Sequence, residues 1–479
     1  MPNFQKMMTE NKDMRQREAK YRLMTQSPVK RLVLKMAVPT VISMMVTAVY
    51  NVVDAAYIGH LNTEATAGVG VSFAYMTFIQ AFGFFCGHGS GNFISRALGA
   101  RQAGEAGKMA ATGFCTAFLF GLLSGILGLC FLPQFSRILG ATSEIITYTN
   151  HYLAYILAAT PFMMSCLVMN NQLRLQGSAQ YAMVGLVSGA LLNILLDPLF
   201  IFVFGWGVSG AGAATLCSQV FSWVLLWRGT QRGGNVRIRI RNFTPSLHFY
   251  KEIVRGGLPS LCRQGLIFLS TVCLNRAAAV YAAPGMEAST IAAFAIVSRI
   301  MMFAFSVILG IGQGFQPVCG FNYGAGLFGR VRESYLFCMG LSTVLLTVMA
   351  LLGICFSARL ISFFRSEDAD LIRIGVKVLR WQCAVFPLVG LTTATNMYFQ
   401  TTGQVVRASL LSVCRQGLCF LPVLCIAPKL FGLDGLAAAQ GIADILTFVI
   451  ALPFAVSAAR TLKQKENNHI ITENPNHTS

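Results

Sequence analysis

Charge is what this sequence has least of. Only 11% of its residues are Asp, Glu, Lys or Arg, against about 25% in a soluble domain. With 55% hydrophobic residues and a mean hydropathy of +0.60 over 479 residues, that scarcity excludes an ordinary soluble protein. There is no Cys-x-x-Cys pair. The 14 cysteines are scattered singly through apolar segments, which excludes a disulfide framework and a zinc site and marks them as small membrane-core residues. No Gly-Lys-Ser/Thr loop is present, so ATP hydrolysis by a P-loop is excluded. His60, His88 and His151 are isolated, with no metal-ligand spacing. No catalytic constellation emerges, and the expectation is a non-enzyme without cofactor or metal. The first 30 residues lack the short apolar core and small-residue cleavage site of a signal peptide.

What is there, in place of charge, is apolar sequence of membrane-spanning length. A crossing needs about 20 apolar residues. Twelve such spans are predicted, at about 32–57, 64–88, 109–132, 147–172, 181–204, 208–228, 251–280, 288–315, 333–357, 372–398, 407–427 and 433–459. The predicted fold class is an all-α polytopic membrane protein. The net charge of +19 would point to nucleic acid in a soluble chain, but here the basic residues flank the spans. The tails and one alternate set of loops hold 26 of the 37 Lys and Arg, which places both termini in the cytoplasm and the protein, multi-pass, in the cytoplasmic (inner) membrane. The glycosylation patterns at Asn242 and Asn476 then fall on the inner side and carry no meaning. Residues 1–30 read as a cytoplasmic tail, 31–230 as a first six-helix lobe, 231–250 as a basic cytoplasmic linker touching anionic lipid, 251–460 as a second lobe, and 461–479 as a second tail.

The chain repeats itself. Gly87-His88-Gly89 matches Gly312-Gln313-Gly314 at an offset of 225, as Gly99 matches Gly324. Pro161 matches Pro387 and Gly177 matches Gly403 at 226, and Gly207-x-x-Gly210 matches Gly432-x-x-Gly435 at 225. Pro39 matches Pro259 at 220, which puts a few extra residues near Ala283–Met286. Six spans per half is an even number, so the repeat is parallel: two pseudo-symmetric six-helix lobes about an axis along the membrane normal, with a central cavity. The glycines read chiefly as helix-packing positions.

Acids inside the spans are few: Asp54, Asp197 and, nearer an end, Asp444. An ionised carboxylate in hydrocarbon is costly, so each is a functional candidate, weighed against a solvated helix end. Asn51 precedes Asp54 by three residues and Asn193 precedes Asp197 by four, which puts each pair on one helix face. Asn170-Asn171-Gln172 and Thr215 add polarity to the same half. The second half has Leu421-Pro422 where the repeat would place Asp197-Pro198, and carries Arg263, Arg299 and Arg415 instead. Two neighbouring carboxylates disfavour double ionisation and hold a proton; with amide and hydroxyl oxygens they equally suit Na⁺. The arginines suit an anionic group in a substrate cavity, or they snorkel.

Tyr50-Asn51-x-x-Asp54-x-x-x-Ile58-Gly59, Gln176-Gly177, Asn193-x-x-x-Asp197-Pro198 and Gly207-x-x-Gly210-x-x-Ala213-Ala214 resemble the multidrug and toxic compound extrusion (MATE) transporters of prokaryotic type, over about residues 28–460. The resemblance implies two lobes forming a V and exchanging H⁺ or Na⁺ for cationic, amphipathic compounds. Carried over by position, it implies an ion-coupling cluster of Asp54, Asn170, Asn193, Asp197 and Thr215. Some members also place acids in spans seven and ten, where this chain offers Gln264, Asn275 and Asn396. The expected function is therefore a cation-coupled antiporter exporting organic cations or amphipathic drugs. The alternative is a flippase or exporter of lipid-linked or anionic metabolites, with Arg263, Arg299 and Arg415 facing the cargo. Expected partners are a small-molecule substrate and membrane lipids, with no nucleic acid, and the expected working unit is a monomer.

Overall fold

The computed structural model describes the backbone of residues 2–281, 286–364 and 368–473, and side chains within 14–281, 286, 289–364 and 368–468. The insertion expected at Ala283, together with Arg365 and the Asn476 glycosylation pattern, lies outside these residues. Among the described residues every regular element is helical. In order they are α1 (Pro2–Gln26), α2 (Val29–Gly59), α3 (Thr63–Gly99), α4 (Ala103–Cys130), α5 (Leu132–Ile138), α6 (Ile146–Leu175), α7 (Ala179–Pro198), α8 (Gly207–Thr230), α9 (Leu247–Val280), α10 (Glu287–Gly324), α11 (Phe328–Cys355), α12 (Ser357–Ser362), α13 (Ala369–Thr401), α14 (Val405–Val413) and α15 (Phe420–Glu473). π-helical turns at Leu199–Val203 and Cys414–Cys419 extend α7 and join α14 to α15. Gly432 interrupts α15 with φ 56° and ψ −135°, so that the chain reverses there. With that break, the spans make twelve crossings in two pseudo-symmetric lobes of six. The short α5 and α12 start 225 residues apart, one in each lobe.

The two lobes are pinned together at one end, the end that carries α1, the 231–250 linker and the close of α15. This is called the near end here, and the opposite end the far end. Backbone meets backbone there because glycine removes the obstructing side chain. A β-carbon added at Gly99 would lie 2.1 Å from the Phe321 carbonyl oxygen, and one added at Gly324 would lie 2.0 Å from that of Arg96. The two contacts are mates: 96 and 321, like 99 and 324, differ by 225. Gly89 likewise presses on Ile253 of α9, and its counterpart Gly314 on Ala37 of α2. Each lobe thus grips the other by the same device, and the seam runs along the pseudo-twofold axis.

α3 and α10 extend well past the predicted limits of 88 and 315, to Gly99 and Gly324. Hydropathy alone ended them early because Ser90, Asn92, Ser95, Gln316 and Asn322 are polar, yet all five are buried in or beside the seam. The repeated glycine pairs also divide their labour. Gly210 and Gly435 pack against the carbonyls of Phe200 and Ala427. Gly207 (φ 55°) and Gly432 (φ 56°) touch nothing at that position and supply the left-handed turn that starts the next crossing, so packing is not their role.

α1 is not a free tail but lies across both lobes at the near end. Met24 is fully buried against Gly177 of the first lobe, while Asn322 Nδ2 donates to the Met24 carbonyl (3.1 Å) and Arg330 Nη2 to that of Ser27 (2.6 Å) from the second. Lys20 Nζ donates to Ser178 Oγ (2.6 Å) and to Asn235 Oδ1, with no carboxylate partner among the described residues. The polar end of α15 docks likewise: Leu462 is fully buried and Lys465 lies over the Tyr323 ring.

Two expectations follow from these contacts. Gly324→Ala forces a methyl group into the Arg96 backbone, at a cost of about 1–3 kcal/mol typical of overpacking; the thermal midpoint in detergent should fall, and spin labels on the near ends of α3 and α10 should move apart. Burial, aided by the Arg17 charge, pushes the Lys20 amine down from 10.5 to about 7. Below pH 7 the amine is protonated whether α1 is docked or free, and docking carries the full cost of burying the charge. That cost fades as pH climbs from 7 toward 10.5. Anisotropy of a fluorophore attached at position 15 should therefore rise between pH 7 and 9, and Lys20→Met should abolish the dependence.

Candidate functional site

Three polar groupings lie inside the apolar helices. The first is in the first lobe, in the half near the far end. Asp54 sits five residues before the end of α2, and Asp197 one residue before the end of α7. Both are buried, at 3% and 0% exposure. The two carboxyl groups lie within side-chain hydrogen-bonding reach of each other. Asn193 Nδ2 donates to Asp197 Oδ1 (3.2 Å), as the four-residue spacing on one helix face requires. Thr215 is fully buried on α8 and bonds the Ala211 carbonyl of its own helix (3.0 Å). Tyr152 of α6 reaches Thr215, and Tyr50 lies within the field of both acids. Pro198, which follows Asp197, gives way to the π-helical turn, which loosens the regular backbone pairing beside the pair.

Asp54 Oδ1, Asp197 Oδ2 and Asn193 Oδ1 have no hydrogen-bond donor. All three are acceptors, gathered in a low-dielectric pocket, and what such a set lacks is a cation or a proton. Asn170 does not join them. Its Nδ2 donates to the Ala182 carbonyl (3.0 Å), and Ala182 lies fifteen residues from Asp197, about 22 Å along the helix. Asn396, its mate at 226, makes the same bond to Ala408 (2.7 Å) in the other lobe. A contact present in both lobes ties consecutive helices together and is part of the scaffold. The family resemblance, carried over by position, places Asn170 with the acids; depth along the helix separates them here.

The second grouping was missed from sequence and lies in the seam. Arg174, counted among the loop charges, is 1% exposed. Its Nη1 donates to the Gln313 carbonyl (2.6 Å) and to Gln316 Oε1 (3.1 Å), and its Nη2 to Asn171 Oδ1 (2.6 Å) and His88 Nε2 (3.3 Å). Arginine has only donors, so His88 Nε2 accepts. His88 Nδ1 lies 3.1 Å from Ser260 Oγ, which also receives Gln400 Nε2 (2.8 Å). His88 and Gln313 are mates at 225, as Arg174 and Gln400 are at 226. The repeat thus delivers four polar residues to the axis, three through their side chains and Gln313 through its carbonyl, and the network links α3 and α6 to α9, α10 and α13. The signal available in the sequence was the matched pair of motifs around His88 and Gln313, read there only as glycine spacing.

The third grouping is a cavity of about 310 Å³ within the second lobe, in its half near the far end. Arg415 lines it but is not a bare cation. Its Nε and Nη2 donate to Asp444 Oδ1 (2.8 Å) and Oδ2 (3.3 Å), and its guanidinium lies 4.5 Å from the centroid of the Phe305 ring. Asp444 belongs to this pair and not to the first-lobe cluster. Arg263 is half-buried on α9 in the field of His88, closer to the seam than to that cavity, and Arg299 is exposed on α10. The three arginines expected to share one substrate cavity therefore occupy three different surroundings. No group of three His, Cys, Asp or Glu able to hold a metal occurs among the described residues.

A protein-family model described as MatE matches residues 39–199 and 267–426, one stretch in each lobe. Multidrug export protein MepA of Staphylococcus aureus (strain NCTC 8325 / PS 47) is 25% identical over 434 residues, covering 89% of this chain and 93% of its own. The protein of the same description from Staphylococcus haemolyticus (strain JCSC1435) is 24% identical over the same shares. Among solved structures, one described as the outward-facing conformation of a multidrug resistance MATE family transporter of the MOP superfamily superposes with a TM-score of 0.86 at 26% identity, covering 92% of this chain and 98% of that one. Another, a MOP superfamily transporter from Pyrococcus furiosus Vc1 (DSM3638) described as having a binding pocket of reversed polarity that suggests a different function, gives 0.85 at 27% identity over the same shares.

Arg174→Met keeps the bulk of the side chain and removes four bonds, two of them across the seam to α10 and two within the first lobe to Asn171 and His88. With charged-group hydrogen bonds each contributing about 1.5–3 kcal/mol, the loss should be at least 2 kcal/mol. Thermal unfolding in detergent should show it, together with faster labelling of cysteines placed at the near end of the seam.

Proposed function

Because this chain belongs to the MatE family, whose members are transporters and not enzymes, we propose that it is a cation-coupled antiporter exporting organic cations or amphipathic drugs. The observation that carries the reading is the buried pair Asp54 and Asp197, facing one another with three acceptor oxygens unsupplied. H⁺ or Na⁺ is the coupling ion, held by Asp54, Asn193, Asp197 and Thr215, with Tyr50 and Tyr152 closing the pocket. The ion enters from the far end, which the excess of Lys and Arg at the near end makes the external side. Ion uptake favours one arrangement of the lobes over the other, and only this difference in affinity lets a gradient drive cargo outward. That the MepA relatives are multidrug export proteins supports the cargo class. Anionic or lipid-linked cargo is less well supported, since Arg415 is already paired with Asp444.

The test is uptake of a fluorescent organic cation into inside-out vesicles under an imposed pH gradient or an imposed Na⁺ gradient. One gradient should drive flux in the unmodified protein. Asp197→Asn and Asp54→Asn should each lower that flux by a hundredfold or more, as expected when one acid supplies the coupling step of about 2.7 kcal/mol or above, while membrane insertion is unchanged. Full gradient-driven transport by Asp197→Asn would remove the assignment.

A further inference from the structure

The Arg415–Asp444 pair is unusual in where it sits. Asp444 is the one buried carboxylate of the second lobe among the described residues. A buried ion pair is weak evidence for stability, because desolvation offsets most of the attraction. This pair, moreover, borders an open cavity instead of a packed core. Phe294, Met301, Phe386 and Phe420 line that cavity, giving it a soft aromatic wall.

Viewed from the guanidinium, the surroundings are those of a cation receptor. One carboxylate lies against it at 2.8 and 3.3 Å, one aromatic ring lies 4.5 Å away, and Gln440 Nε2 steadies the carboxylate through a 3.1 Å bond to Oδ1. An aromatic face combined with a partly desolvated carboxylate is how proteins hold organic cations. The side chain keeps 19% exposure and springs from the π-helical turn Cys414–Cys419. Ser270 Oγ donates to the Gln416 carbonyl there (2.7 Å), covering a backbone acceptor at the irregular turn. Arg415 is therefore tethered on a long stem at a locally irregular backbone, beside space into which it can withdraw.

We propose that Asp444, Phe305 and Gln440 form a binding subsite for a small aromatic or quaternary organic cation, and that Arg415 occupies it as a tethered stand-in which the cargo displaces. The proposal deepens the export reading by naming where the cation is held. A guest must outcompete Arg415, so the subsite rejects weakly bound cations and stays electrically balanced when empty. Removing the guanidinium leaves Asp444 uncompensated and raises the demand for a cation from solution. Arg415 thus sets the threshold for cargo affinity, opposite to a role in attracting anions.

The experiment is equilibrium binding of trimethylphenylammonium to the purified full chain in nanodiscs, with tert-butylbenzene as the neutral guest of the same shape. No ion gradient is present, so a failure of the antiport reading would appear as normal binding without coupled flux. Arg415→Met should tighten trimethylphenylammonium about tenfold, as loss of a competing buried cation predicts, and leave tert-butylbenzene unchanged. Asp444→Asn, alone or with Arg415→Met, should erase the preference for the charged guest. Phe305→Leu in the otherwise unmodified chain should weaken the cation and spare the neutral guest, and this decides the matter if Arg415→Met does not fold. Weaker or unchanged cation binding in Arg415→Met, or equal loss of both guests in Phe305→Leu, would overturn the proposal.

Discussion

The absence of water from the bilayer core governs everything else in this protein. In hydrocarbon each backbone polar group must be satisfied within its own helix, which makes twelve helical crossings obligatory and leaves little apolar driving force between them. Apolar packing between the lobes, such as Leu32 and Met36 with Ile311 and Phe315, gains less from burial than it would in a soluble protein. The lobes are joined as well by close backbone approach at matched glycines, with Gly99 on Phe321 and Gly324 on Arg96, and by a small polar network sealed between them. Both kinds of contact are short-ranged and lie at one end only. Such a seam is strong when formed and can be lost as a unit, which suits a two-state machine.

The same constraint explains the distribution of charge. Each charged side chain within the spans needs a partner or a purpose. Arg174 is surrounded by a carbonyl, two amides and an imidazole, all from helices that meet at the axis. Arg415 is neutralised by Asp444. Asp54 and Asp197 have only each other and Asn193, and each keeps a carboxylate oxygen without a hydrogen-bond donor. The repeat supplies one scaffold twice. Substitution at equivalent places then gives an acid pair to one lobe and an ion-paired cavity to the other. The departures from symmetry give the two lobes different chemistry, and the positions where symmetry is kept hold the lobes together.

α1 adds a third element to the seam. It touches the first lobe through Lys20 and Met24 and the second through the carbonyls of Met24 and Ser27. Opening of the near end cannot leave all of these contacts in place. The N-terminal helix therefore belongs to the energetics of lobe separation, though its sequence reads only as a basic tail. With burial pushing the Lys20 amine down to about 7, that contribution varies with pH near neutrality.

The sequence by itself determined the class, the number of crossings, the parallel repeat and the pairing of Asn193 with Asp197. Each of these is written in local terms: apolar length, an offset of 225, a four-residue spacing between Asn193 and Asp197. Only the tertiary structure decided depth and partnership. It tied Asn170 to Ala182, about 22 Å along the helix from Asp197, drew Arg174 and His88 out of apparent isolation into the seam, and closed Arg415 onto Asp444, twenty-nine residues away in sequence. It also separated the glycines that pack from those that turn. The physical reason is that one-dimensional pattern reports which face of a helix a residue occupies and how apolar its neighbours are. Which residue of another helix stands opposite depends on register along an axis some 40 Å long at 1.5 Å per residue, and a shift of two or three residues changes the partner.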